Sequence, residues 1–237
     1  MTTGEGSRVS KRVLSDRADK FEVTTVEAAE PSRLVLFAVG GGGDPRRHLP
    51  ILRSLADHGC TVVAPHFERL VLPIPTESDL LTRARRLRLA LDSVMRPGLP
   101  VAGVGHSIGT TMLLGLAGGQ IWMPTRQRLA IETEPRLDRL ALLTPATAFF
   151  RAPRALDAVR VPIVAWAGTK DEITPPAQAR FLKDVLDGRT PVDLHIVEGA
   201  GHFSFMNEPP PMVAEPLPDR EAFLADLAAE ICRFVAN

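Results

Sequence analysis

Apolar runs of strand length recur along the chain with segments of helical period between them, and this alternation limits the fold more than any other feature. Residues 34–39 read Leu-Val-Leu-Phe-Ala-Val and stop at four consecutive glycines. A run without polar alternation fits a strand buried on both faces, as in a parallel sheet covered by helices. Similar runs lie at 60–64, 101–105, 140–144, 161–167 and 192–197, with a weaker alternation at 21–28. Between them the spacing predicts helices over 49–58, 79–95, 110–117, 176–186 and 219–235. In 79–95, Leu80, Ala84, Leu87, Leu91 and Val94 form one stripe. Thr76 and Asp79 have capping-box spacing before that helix, and Arg83, Arg85, Arg86 and Arg88 are expected on its solvated face. Asp219 is placed to cap the last helix. The series predicts an α/β class fold: a mostly parallel central sheet with helices on both faces. The expected organisation is one domain over 21–237 behind a flexible polar extension at 1–20. A length of 237 residues, 45% of them hydrophobic, suffices for one sizeable core.

Lys and Arg number 28, and so do Asp and Glu, so the formal charge is zero. A neutral chain lacks the global field that draws in nucleic acid, and no nucleic-acid partner is expected. No apolar run reaches membrane-spanning length and the first residues are polar, so neither a membrane partner nor a secretory leader is expected, and a cytoplasmic protein is the default. The two cysteines, Cys60 and Cys232, have no metal-ligand spacing and read as buried inert thiols. Neither a metal nor a cofactor is expected. Oligomeric state has no signature in the sequence.

The chemistry concentrates in three segments, each following a predicted strand. The first is Gly105-His106-Ser107-Ile108-Gly109, with a strand before it and an apolar helix after it. That context suits a nucleophile held on a sharp turn, where only small residues fit two positions to either side. A neutral serine needs a base to take its proton and an acid to orient that base. Of six histidines, His202 stands apart: it lies in the loop Gly199-Ala200-Gly201-His202-Phe203, after the last strand. His195 falls within that strand, and His106 should point away from the serine. Asp171 follows the strand at 161–167 and is the candidate acid, with Glu172 its rival. A tetrahedral oxyanion requires backbone N–H donors. Ile108, at the helix N-terminus, and Gly41 and Gly42, in the loop after residue 39, are the candidates.

Together these residues resemble the α/β-hydrolase family, from about residue 35 to the C-terminus. The chain order Ser107, Asp171, His202 is that of the family. Its size and layout are similar to dienelactone-hydrolase-like and small carboxylesterase members, although dienelactone hydrolases carry cysteine where this chain has Ser107. The resemblance implies serine-dependent hydrolysis of small carboxylic esters through an acyl-enzyme. Acyl-thioesterase or peptidase activity, or non-catalytic ligand binding, is the alternative on the same fold. The expected partner is a small acyl ester or thioester. The connection from 145 to 160 is too short for the helical cap of many relatives, so a shallow site is expected. Phe149, Trp122 and Phe205 are candidate walls.

Overall fold

The computed structural model describes residues 7–71 and 74–237. Eight strands form one sheet: β1 (Arg8–Asp16), β2 (Asp19–Glu27), β3 (Arg33–Ala38), β4 (Cys60–Pro65), β5 (Val101–His106), β6 (Leu137–Leu143), β7 (Ile163–Gly168) and β8 (Val192–Val197). Their order is β1-β2-β4-β3-β5-β6-β7-β8. From β4 to β8 every neighbouring pair is parallel; β1 and β2 are antiparallel to each other, and β2 to β4. Parallel pairing needs crossovers, which α1 (Leu49–Asp57), α2 (Glu77–Asp92), α3 (Ile108–Leu116) and α4 (Pro176–Leu186) supply for every consecutive pair from β3 onward but β6–β7, and α5 (Arg220–Ala236) ends the chain.

The uninterrupted apolar runs are explained by the two covers. Leu34, Leu36, Leu140, Leu142, Ile163 and Ala165 face α2, α3 and α4. Their neighbours Val35, Phe37, Ala141, Leu143, Val164 and Trp166 face α1 and α5. Alternate residues thus enter opposite cores, and both must be apolar. Cys60 and Cys232 are free and buried in the second core, which pushes the Cys60 thiol up to about 11.

Three sequence expectations are corrected. Within the extension placed at 1–20, of which residues 1–6 lie outside the described residues, Arg8 to Asp16 form a strand in register with β2 over nine residue pairs. Its pattern hides it, because it is an edge strand with Val9 and Val13 exposed and four charged residues in nine. Arg83, Arg85 and Arg86 do not form a solvated face. Asp16, fully buried at the end of β1, accepts hydrogen bonds from both Arg85 and Arg86, and Arg83 is 2% exposed. Asp219 occupies the N-cap position of α5 without a side-chain cap bond. By contrast, Thr76 and Asp79 close the expected capping box at the start of α2.

Between β6 and β7 the chain holds only short turns, including a 3-10 turn at Ala148–Phe150, and no helical cap. Among the described residues no helix is long and apolar enough to cross a membrane.

Candidate active site

Parallel strands end at one edge of the sheet, and loops leaving that edge converge. Ser107 directly follows β5, Asp171 lies three residues beyond β7, and His202 five residues beyond β8. The sheet brings all three together. His202 Nε2 lies 3.0 Å from Ser107 Oγ. His202 Nδ1 lies 2.8 Å from Asp171 Oδ2. Glu172, the rival acid, is exposed and takes no part.

Ser107 has φ 54° and ψ −126°. A non-glycine residue in this region costs on the order of 1–3 kcal/mol and persists only where the surroundings force it. Here its N–H donates to Leu143 O at 2.9 Å, while its own carbonyl accepts from Thr110 N at 2.9 Å and Thr110 Oγ1 at 2.6 Å. The turn also brings α3 hard against β3: a side chain at Gly109 would collide with the Ala38 carbonyl. Glycine at that position is therefore steric necessity.

Asp171 is buried and multiply bonded. Its Oδ1 accepts from the N–H groups of Ile173 at 2.9 Å and Thr174 at 2.7 Å, and its Oδ2 from Thr174 Oγ1 at 2.8 Å. Burial works to raise its pKa, but the bonds from His202 and Thr174 outweigh it and hold the carboxyl below its usual range. It stays ionised, and its Oδ2 fixes the Nδ1–H tautomer of His202. That leaves Nε2 free to accept the serine proton.

His106 does point away from Ser107 Oγ. Its ring is fully buried, and Nε2 lies 3.1 Å from the His202 carbonyl. His48, also fully buried, lies tilted against His106 with ring centroids 5.2 Å apart, and His106 lies tilted against His202 at 5.0 Å. Burial depresses the pKa of both: His48 to about 3, His106 well below the usual value. Both rings are therefore neutral at ordinary pH. His195 lies on β8 as expected, stacked on Trp166.

The glycines after β3 border the serine. Gly41 lines the clefts on both sides of Ser107, Gly42 only the one that also contains His202, and Ile108 only the other. Among the described residues the N–H groups of Gly41 and Ile108 donate no hydrogen bond within the protein. Behind this loop lies a residue the sequence reading missed. Arg83 Nη1 donates to Val39 O at 3.4 Å and Gly40 O at 3.3 Å, Nη2 donates to Glu68 O at 3.2 Å, and the guanidinium covers the Phe67 ring at 4.6 Å. No carboxylate pairs with it among the described residues, and burial lowers its pKa to about 10. Thr174 was missed as well, though its place three residues after Asp171 is a turn signal that could have found it.

Of the three expected wall residues, Phe149 and Trp122 line a cleft of about 690 Å³ that does not reach the serine, and Phe149 also lines the smaller cleft that does. Phe205 does not. It is 0% exposed, edge-on to Phe223 under α5, and belongs to the second core. An aromatic after the histidine loop can turn outward or inward, and α5 supplies an apolar face that buries it. No cluster of His, Cys, Asp or Glu that could hold a metal occurs among the described residues.

Comparison with solved structures matches nearly the whole chain. Esterase 2 of Thermogutta terrifontis, phosphoramylated by tabun, superposes with a TM-score of 0.68 at 16% identity, over 96% of this chain and 94% of its own. A predicted CIB-like hydrolase from Thermoplasma acidophilum gives 0.66 at 16%, over 96% and 100%. An alpha-beta serine hydrolase homologue from Coxiella burnetii gives 0.64 at 14%, over 95% and 97%. No family model and no curated protein matches in sequence. At these identities the likeness establishes the architecture: the chain has the α/β-hydrolase fold.

Proposed function

We propose that this α/β-hydrolase-fold chain is a serine hydrolase that cleaves small carboxylic esters through an acyl-enzyme. One observation carries the proposal: a serine on a strained turn, a histidine 3.0 Å from its hydroxyl, and a buried carboxylate 2.8 Å behind the histidine. His202 Nε2 takes the Ser107 proton as Oγ attacks the ester carbonyl. Asp171 stabilises the imidazolium that forms. His202 then returns the proton to the leaving oxygen, activates a water, and Ser107 is released from the acyl group.

The oxyanion falls to the N–H groups of Ile108 and Gly41, and Arg83 prepares the second of these. The Gly40 carbonyl and the Gly41 N–H belong to one planar trans peptide group, so they point in opposite directions. Arg83 holds that carbonyl on the α2 side, which turns the Gly41 N–H away from α2. The same cation polarises the peptide and strengthens the donor. Gly42 is the poorer candidate because it lies on the His202 side alone.

The tabun adduct of the Thermogutta esterase, a protein of this fold, suggests the probe. A fluorophosphonate applied to this chain should add one phosphonyl mass, on the peptide carrying Ser107, and Ser107→Ala should abolish both label and p-nitrophenyl acetate turnover. A folded wild-type protein that neither labels nor turns over ester would sink the proposal.

A further inference from the structure

Ser107 stands where two clefts meet. One, of about 310 Å³, has His202, Phe203, Arg47 and Met206 in its walls. The other, of about 340 Å³, has Gly41, Ile108 and Gln178 but not His202. This second cleft shares Ile74, Ala148 and Phe149 with the 690 Å³ trough that continues beneath Trp122 and Ala152. The space beside the serine and the larger apolar trough therefore adjoin at Ile74, Ala148 and Phe149.

Proton bookkeeping sets the direction in which an ester crosses the serine. After attack, the proton sits on His202 Nε2 and must reach the leaving oxygen within hydrogen-bond distance. The leaving group therefore occupies the cleft that His202 lines. The acyl group takes the other, with its carbonyl oxygen at Ile108 and Gly41. We infer that the trough beyond Phe149 is the acyl site, and that the substrates are esters of medium-chain apolar acids, long enough to pass Ala148. This inference rests on the serine-hydrolase reading and extends it from small esters in general to a class of acyl group.

The walls agree with that occupant. Among the described residues, Arg126 and Arg151 are the only charged ones lining the trough; both are exposed, and the Arg151 guanidinium is already stacked 3.7 Å from the Phe181 ring. The wall is fixed, because Trp122 N donates to Phe149 O at 2.9 Å and the Gln178 side chain accepts from Thr147 N and Ala148 N at 2.7 and 3.1 Å. At the entrance Ile74 and Ile173 are 53% and 56% exposed, apolar surface that a bound chain would cover.

The test is a series of p-nitrophenyl esters from acetate to dodecanoate, assayed below micelle formation with Ser107→Ala as the blank. Expected is a kcat/KM that rises about threefold to fourfold per methylene until the trough is full. Ala148→Trp, at the neck, should cut the octanoate-to-acetate ratio at least about tenfold, the worth of two buried methylenes. Ala152→Trp, deeper in, should move the optimum to a shorter chain and serves if the first variant misfolds. Acetate turnover without chain-length preference, or ratios unmoved in folded variants, would overturn this inference and leave the serine hydrolase standing. No turnover of any ester together with no fluorophosphonate label would overturn both.

Discussion

Arg83 shows how much a single side chain can organise. Among the described residues its buried guanidinium pairs with no carboxylate, and its three acceptors are all main-chain carbonyls. Such a charge is costly unless its hydrogen bonds are good, and here they tie β3's exit loop and the loop after β4 to α2. Arg83→Met should lower kcat by about tenfold to a hundredfold, approaching the worth of one oxyanion donor, with KM for p-nitrophenyl esters little changed. Arg83→Lys should recover part of the loss, since an ammonium keeps the charge but cannot fork across three carbonyls. A variant with unaltered kcat, or one whose KM alone moves, would remove Arg83 from the account of the oxyanion site.

The β1–β2 hairpin is the element that departs most from its sequence pattern. It adds an antiparallel edge to a parallel sheet, and Asp16 at its turn docks onto α2 through Arg85 and Arg86. The Asp16 side chain is 1% exposed, against 31% for Arg85 and 12% for Arg86. The hydrogen bond from Arg85, chief among the favourable contacts, more than offsets burial and holds the Asp16 carboxyl below its usual range. Asp16→Asn leaves two guanidiniums facing a neutral amide. It should cost about 2 kcal/mol in urea unfolding at neutral pH, below the full worth of a buried pair because Arg85 reaches solvent. Turnover of p-nitrophenyl esters should be unaffected, because the hairpin lies at the sheet edge remote from β5. A loss under 0.5 kcal/mol would show the hairpin to be held by its strand pairing alone.

Across the whole molecule, neutral buried histidines couple stability to pH. His48 has no hydrogen-bond partner on either ring nitrogen among the described residues. In the unfolded chain it titrates near 6.5, and in the fold burial holds it at about 3. Between those values the unfolded chain binds the extra proton, so stability falls as pH falls through the window and levels off above it. His48 alone should account for about 2 kcal/mol of loss between pH 7.5 and 5. His106, shifted in the same direction, adds to it. Replacing His48 with Leu removes an unsatisfied polar ring from an apolar site, so it should not destabilise the protein at pH 7.5 and should flatten the acid limb. Urea midpoints at the two pH values measure this; an acid limb as steep as wild type would mean His48 does not titrate as described.

Seven of the eight strands, the five helices and the segments that carry Ser107, Asp171 and His202 were legible in sequence because each is a local signal: an apolar run, a helical stripe, a short motif after a strand. Parallel topology converts those local signals into a site, since the strands from β3 to β8 all exit at the same edge. What only the tertiary structure decided is which side chains distant segments cover. Arg83 and Arg85 read as solvated until β1 and the β3 loop are laid over α2. Phe149 and Phe205 read alike until one opens on a cleft and the other packs under α5. Residues 8–16 read as loose because an edge strand exposed on both faces carries no apolar period. Local pattern encodes the conformation a segment adopts and the face it presents, whereas burial depends on what another part of the chain brings to that face.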